Sequence, residues 1–251
     1  MNIPADHPRY RSLMIRERLS EMVDRGLVTR TGLISHGRGE AFDYLMGERT
    51  PVSSLKAERA AAAYLLKAEN PVVCVNGNAA ALDPKNLIAL AKEVPAKIEV
   101  NIFHRTEKRM ELLISYMEEN GAENVLGRDP DARIPGLSSD RALCTRAGIY
   151  SSDVILVPIE DGDRAKALAD MGKTVIAIDL NPLSRTSGAA SVSVSDEMTR
   201  ALENIIAAVK EMKGRQSEIE EATDSFSNDS NRKETIGEIC SMLRSEFEKG
   251  V

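Results

Sequence analysis

Short unbroken runs of aliphatic and β-branched residues, alternating with helix signals, constrain this chain more than any other feature. PVVCV (71–75), VILV (154–157) and TVIAID (174–179) are too short for helices and do not alternate in polarity, while IEVNIF (98–103) and VSV (192–194) are further short strand candidates. Runs of this kind suit strands buried on both faces, the condition of a parallel sheet. Between them, Asp83-Pro84 opens a helix with proline at the first helical position, and Thr106 caps one that Gly121 can close. A helix around 164–171 and another from Asp196 to Met212 continue the pattern. The expected fold is α/β, a mainly parallel sheet flanked by helices, with 192–194 as a short edge strand.

The flanks follow from the same signals. Residues 9–25 carry Leu13, Leu19, Met22 and Val23 at helical spacing before Gly26, and Ser54 can cap a helix through Lys67. Residues 1–213 are expected to form one domain whose N-terminal helical part spans about 1–68. Residues 214–231, nearly free of large apolar side chains, are expected to be a polar connector, and 232–251 a C-terminal helix.

Composition excludes several classes. At 251 residues and 42% hydrophobic the chain can bury a large core, and no apolar run is long enough for a transmembrane span. The start, MNIPADHPRYRSL, lacks a secretory apolar core, so a cytoplasmic protein with no membrane partner is expected. The 3 cysteines are widely separated and form no CxxC, which argues against disulfides and a cysteine-built metal site; Cys74 and Cys240 are expected as small core residues. A net charge of −6 argues against nucleic acid as a partner.

The strands end in chemistry. VVCV runs into Asn76-Gly77-Asn78, IEVNIF into His104 and Arg105 with Arg109 a turn later, ILVP into Glu160, Asp161 and Asp163, and IAID into Leu180, Asn181, Arg185 and Thr186. In an open parallel sheet the carboxyl ends share one edge, outside which ligands bind, so these clusters converge if the fold is right. The three acids at 160–163 suit either helix capping or Mg2+. ISHGRGEAFDY (34–44) has no hydrophobic period. It is expected as a glycine-rich loop in which Gly37 and Gly39 free backbone N–H groups for an anion. Arg38 supplies a planar fork, and Glu40 opens the next helix. No G-K-[ST] follows, and G-x-G-x-x-G is absent, so neither a Walker A loop nor a nicotinamide fold is indicated.

HPRYRSL, GLISHGRGEAFDYLMGE, NPVVCVNGNAAAL, NIFHRTEKR, IPGL, EDGDR and DLNPLSRT occur in that order. The set resembles the archaeal phosphopantothenate synthetases, the 4-phosphopantoate–β-alanine ligases, from about Pro4 to Met212. The resemblance implies a Rossmann-like fold, a homodimer, and ATP-driven joining of 4-phosphopantoate to β-alanine with release of AMP and diphosphate. It implies ATP contacts at Arg16, Arg38, Asp179, Leu180, Asn181, Arg185, Thr186, Glu197 and Met198. Position alone suggests Asn76, Asn78, His104, Arg105 and Arg109 for 4-phosphopantoate. His36, Arg38 and His104 are the catalytic candidates, with Mg2+ near Glu160, Asp161 or Asp163. Two other classes stay open: an ATP- or sugar-phosphate-binding regulatory module without ligase activity, and a Mg2+-dependent phosphohydrolase built on EDGD.

Overall fold

The computed structural model describes residues 3–248, so positions 249–251 of the expected terminal helix lie outside the described residues. Three helices precede the sheet: α1 (Tyr10–Asp24), α2 (Arg30–Met46) and α3 (Val52–Lys67). α1 stops where Gly26 takes a left-handed φ of +82°, as its position predicts. α3 starts at Val52, behind Pro51, ahead of the expected Ser54 cap. The Ser54 hydroxyl is used elsewhere, donating to the Ser195 carbonyl at 2.6 Å. The exposed amides at the start of α3 go to Glu238, whose carboxylate accepts from Val52 and Ser53 N–H at 3.0 and 2.8 Å.

The chain continues through β1 (Val72–Val75), α4 (Gly77–Leu82), α5 (Pro84–Glu93), β2 (Lys97–Val100) and α6 (Glu107–Glu119). An irregular stretch carries an antiparallel pair, β3 (Ala132–Arg133) with β4 (Leu143–Cys144). Then follow β5 (Val154–Pro158), α7 (Gly162–Asp170), β6 (Thr174–Ile178), α8 (Arg185–Ala189), β7 (Val192–Val194) and α9 (Met198–Met212). The last helices are α10 (Gln216–Asp224) and α11 (Asn228–Glu248).

The large sheet has the order β2-β1-β5-β6-β7 with every neighbouring pair parallel. β7 is the edge strand its short run predicts. Because both faces are covered, alternate side chains enter two cores. Val73, Val75, Leu156, Ile176 and Ile178 join the layer holding α3, α5, α6 and α9. Val72, Cys74, Ile155, Val157, Val175 and Ala177 face α7 and the β3–β4 stretch. From β1 the chain steps outward to β2, then returns to β5 and steps the other way, so the topology switches between β1 and β5. A crevice is expected at such a point.

Three expectations need correction. The 98–103 strand leaves the sheet after Val100, because Asn101 is buried and its side-chain amide donates to the Leu143 carbonyl at 2.9 Å. The 214–231 stretch is mostly helical. Ile219 and Thr223 are buried and α10 packs on α3, while Glu218 pairs with Arg59 at 2.9 Å. The Asn228 amide then ties the start of α11 to the Ser187 and Ala190 carbonyls, both at 2.9 Å. Cys74 and Cys144 are buried, whereas Cys240 is exposed, against its expected core role. No described helix is long and apolar enough to cross a membrane.

Candidate active site

ISHGRGEAFDY is not a loop. It lies inside α2, which Thr29 caps by accepting from Gly32 N–H at 3.0 Å and which Gly47 ends at φ +82°. Amides in a helix interior are committed to the preceding turn, so Gly37 and Gly39 cannot offer theirs to an anion. The missing hydrophobic period has a physical reason: much of this helix faces a cavity and not the core. Gly32, Ser35, His36, Arg38, Gly39 and Phe42 all line that cavity. Arg38 is exposed and has no hydrogen-bond or ion-pair partner among the described residues.

The cavity, about 880 Å3, runs along the carboxyl edge of the sheet. Asn76, Gly77 and Asn78 reach it from the end of β1, and His104 and Arg109 from beyond β2. Glu160 and Asp161 come from β5, Asp179, Leu180, Asn181, Arg185 and Thr186 from β6, and Glu197 and Met198 from beyond β7. The volume is at the upper end of what small-molecule sites enclose. At the switch point Asn76 bridges the two halves of the sheet. Its side-chain amide donates to the Pro158 and Ile159 carbonyls at 2.8 and 3.0 Å, and its oxygen caps α4 through Ala79 N–H at 3.0 Å. Ile159 there has φ +53°, a costly conformation for a β-branched residue and one found at functional turns. Asn78 joins α2 to the same edge by donating to the Gly32 carbonyl at 3.0 Å.

The acids at 160–163 divide. Glu160 is sandwiched between Arg141 and Arg164, one carboxylate oxygen to each. Asp161 caps α7, accepting from Arg164 N–H at 2.8 Å, and its other oxygen is 3.4 Å from Arg141 Nε. Asp163 points out of the cavity lining and pairs with Arg185. Among the described residues no three His, Cys, Asp or Glu side chains converge as a cation's ligands, and these acids do not fit a built Mg2+ cage. The capping alternative holds for Asp161.

Two other expected residues stand outside the lining. Arg105 turns to the far side of β2, donating to the Gly127 and Arg128 carbonyls at 2.7 and 3.0 Å. Arg16, on α1, donates to Glu40 at 2.9 Å and to the Tyr44 hydroxyl. Arg141 was missed by sequence reasoning. It is buried, lines the cavity, and donates to the Asn101 carbonyl at 2.6 Å as well as to Glu160. It lies in a stretch without periodicity, so no signal distinguishes it from a surface arginine. Thr29, Thr31 and Asp196 are further lining residues that no motif indicated.

Burial sets the protonation states. It lowers the His36 imidazole below 6.5, against the opposing pull of Glu40 and Glu197, and so favours the neutral ring. It raises the Asp179 carboxyl, which holds Asn181 N–H at 3.0 Å and the Ser184 hydroxyl. Arg141 is pushed down to about 10 by burial and by the like charge of Arg164. With Arg38, Arg109, Arg141 and Arg185 around one opening, the site suits a ligand set rich in phosphate and carboxylate.

The family model described as phosphopantothenate/pantothenate synthetase matches residues 53–242. A Methanosarcina mazei protein named 4-phosphopantoate–β-alanine ligase is 52% identical over 97% of this chain and 96% of its own length. Proteins of the same name from Methanospirillum hungatei and Thermococcus kodakarensis are 54% and 49% identical. They cover 81% and 85% of this chain and 83% and 82% of their own lengths. Likeness over nearly the whole length, together with a cavity built from its motif residues, means that this chain belongs to the phosphopantothenate/pantothenate synthetase family.

Proposed function

We propose that this chain is an ATP-dependent ligase joining 4-phosphopantoate to β-alanine, with release of AMP and diphosphate. The observation that carries the proposal is the single cavity of about 880 Å3, which takes side chains from α2 and from beyond all five strands of the large sheet. That volume accommodates a nucleotide beside a second phosphorylated reactant. Arg38, Arg185, the 179–181 backbone and side chains, Thr186, Glu197 and Met198 are assigned to ATP. Arg16 belongs with them if it exchanges Glu40 for a phosphate. Asn76, Asn78, His104, Arg109 and the newly found Arg141 are assigned to 4-phosphopantoate. Arg105 is withdrawn from that set because its guanidinium turns to the far side of β2, outside the cavity lining.

The chemistry follows from the reactants. A carboxylate is a poor electrophile, so the pantoate oxygen first attacks the α-phosphorus and diphosphate leaves. The amine of β-alanine then attacks the acyl carbon, and the bond to AMP breaks. Both steps bring anions together, so the arginines act by charge stabilisation and by positioning. His36, whose burial favours the neutral ring, or His104 takes the proton that the amine gives up. Mg2+ is proposed to travel with the ATP phosphates, and no step is assigned to it. A homodimer in the cytoplasm completes the reading. Supporting the dimer are exposed apolar side chains on two helices in contact, Val52 and Leu55 on α3 and Leu243 and Phe247 on α11.

The regulatory-module reading leaves the four converging arginines without a reaction. The phosphohydrolase reading lacks its acids, since Glu160 is held by two arginines. Incubation of purified protein with ATP, 4-phosphopantoate and β-alanine is expected to yield AMP and 4′-phosphopantothenate only when all three are present. Phosphate release without the amine would refute the ligase assignment, and sedimentation at monomer mass would refute the dimer.

A further inference from the structure

Behind the cavity wall formed by Asp196, Glu197 and Met198 lies a buried cluster with too many acids for its cations. Asp43 of α2, Glu58 of α3 and Asp196 ahead of α9 are 5%, 1% and 1% exposed. One guanidinium bonds two of them. Arg200 donates to Asp196 Oδ1 through Nε and Nη2 at 3.0 and 2.6 Å, and its Nη1 and Nη2 reach Asp43. Three ionised carboxyls against a single cation, all withheld from water, is an arrangement proteins relieve by binding a proton.

Burial raises both Glu58 and Asp196, and the supply of donors points to Glu58 as the holder of that proton. Asp196 is well supplied with donors: Arg200, the Thr50 hydroxyl at 2.6 Å and Glu197 N–H at 2.8 Å. Glu58 has no cation. Its Oε2 accepts from the Asn204 amide at 3.0 Å, and the same amide donates to the Thr50 hydroxyl at 3.3 Å. Its Oε1 is buried without a donor, and the charge of Asp196, linked to it through Thr50 and Asn204, adds to the cost of ionising it. A proton on Glu58 gives it a bond to make and removes one negative charge. Other charged groups on the packed elements are engaged elsewhere. Lys56 holds Glu234 of α11, Arg59 holds Glu211 of α9 and Glu218 of α10, and Glu238 of α11 caps α3. Burial, with the Asp196 charge second, raises the Glu58 carboxyl to about 9.

We propose that Glu58 is a positioning residue of the ligase: kept protonated, it donates to Asp196 and so fixes Glu197 and Met198 against the nucleotide end of the cavity. The functional half of this proposal rests on the ATP assignment above; the protonation half does not. Glu58→Gln is the test, because glutamine is neutral at every pH and keeps both an acceptor for Asn204 and a donor for Asp196. It is expected to hold kcat and the KM for ATP near wild type at neutral pH. Glu58→Ala is expected to raise the KM for ATP about tenfold with a smaller effect on kcat. The wild-type KM for ATP should also climb in alkaline solution, and Glu58→Gln should lack that limb.

Stability provides a readout that needs no turnover. The unfolded chain ionises Glu58 near 4.5, while the folded chain keeps its proton until about 9. The folded state therefore binds more protons in that window, and wild-type stability falls as pH rises through it. The thermal midpoint of Glu58→Gln should pull ahead of wild type as pH goes from 5 to 9. Parallel curves would overturn the protonation. Should the variant fail to fold, infrared spectra of wild-type protein with 13C-labelled glutamate decide the point: a protonated-carboxyl band at neutral pH is expected, and its absence overturns the proposal. If no AMP forms under any condition while the band and the stability gap appear, the ligase reading has failed and the buried proton stands.

Discussion

Arg38 and Arg141 are opposite kinds of arginine on one cavity. Arg38 is exposed with no partner among the described residues, so its charge is available to a ligand and its loss costs the fold nothing. Arg38→Ala is expected to abolish AMP formation while leaving the circular dichroism spectrum unchanged. Arg141 is locked to Glu160 and the Asn101 carbonyl. Arg141→Lys, which keeps the charge but not the planar fork, is expected to raise the KM for 4-phosphopantoate tenfold or more with little change for ATP. An equal rise for both substrates would instead indicate a general loosening of the wall. His36 carries the pH dependence. Its folded-state value lies below 6.5, so the folded chain binds fewer protons than the unfolded one just below that pH, and stability declines there as acid is added. If its neutral ring accepts the amine's proton, kcat should fall along the same acid limb. Glu40→Gln removes the first of the charges that raise it and should shift the limb to lower pH. The glycine-flanked His36 and Arg38 were legible because charged side chains between glycines stand out in sequence. Arg141 was not, since a buried arginine is recognised only by the carboxylate that folding brings to it.

Among the elements, strands were easier to read than helices. β1, β5 and β6 are buried on both faces, and only unbroken apolar runs satisfy that condition. α2 failed the same test because much of its surface lines a cavity, where polar residues and glycine replace the apolar stripe. α10 failed for a different reason. It buries only Ile219 and Thr223, and its attachment depends on the Arg59–Glu218 pair across to α3, which no local pattern announces. The cap on α3 is likewise tertiary: Glu238 reaches it from α11, 185 residues away from Ser53. Glu238→Ala should lower unfolding free energy by about 1 kcal/mol in a urea titration, the typical worth of a helix cap. The ligase KM values should not move, because Glu238 does not line the cavity.

On the scale of the whole molecule, the strand order makes the cavity. Stepping outward from β1 and then reversing at β5 leaves a gap at the carboxyl edge, and the Asn76 amide spans it to the Pro158 and Ile159 carbonyls at the end of β5. The alternation of strands and helices was enough to anticipate that edge, while the position of α2 across it was not. The walls are drawn from Thr29 near one end of the chain and Met198 near the other, with contributions in between. During synthesis, then, the cavity stays incomplete until the ribosome has released nearly four-fifths of the polypeptide. A protease cut that lets either end drift should extinguish turnover outright instead of leaving a sluggish enzyme. Limited digestion followed by assay is expected to show activity tracking the intact band, with no partially active fragment.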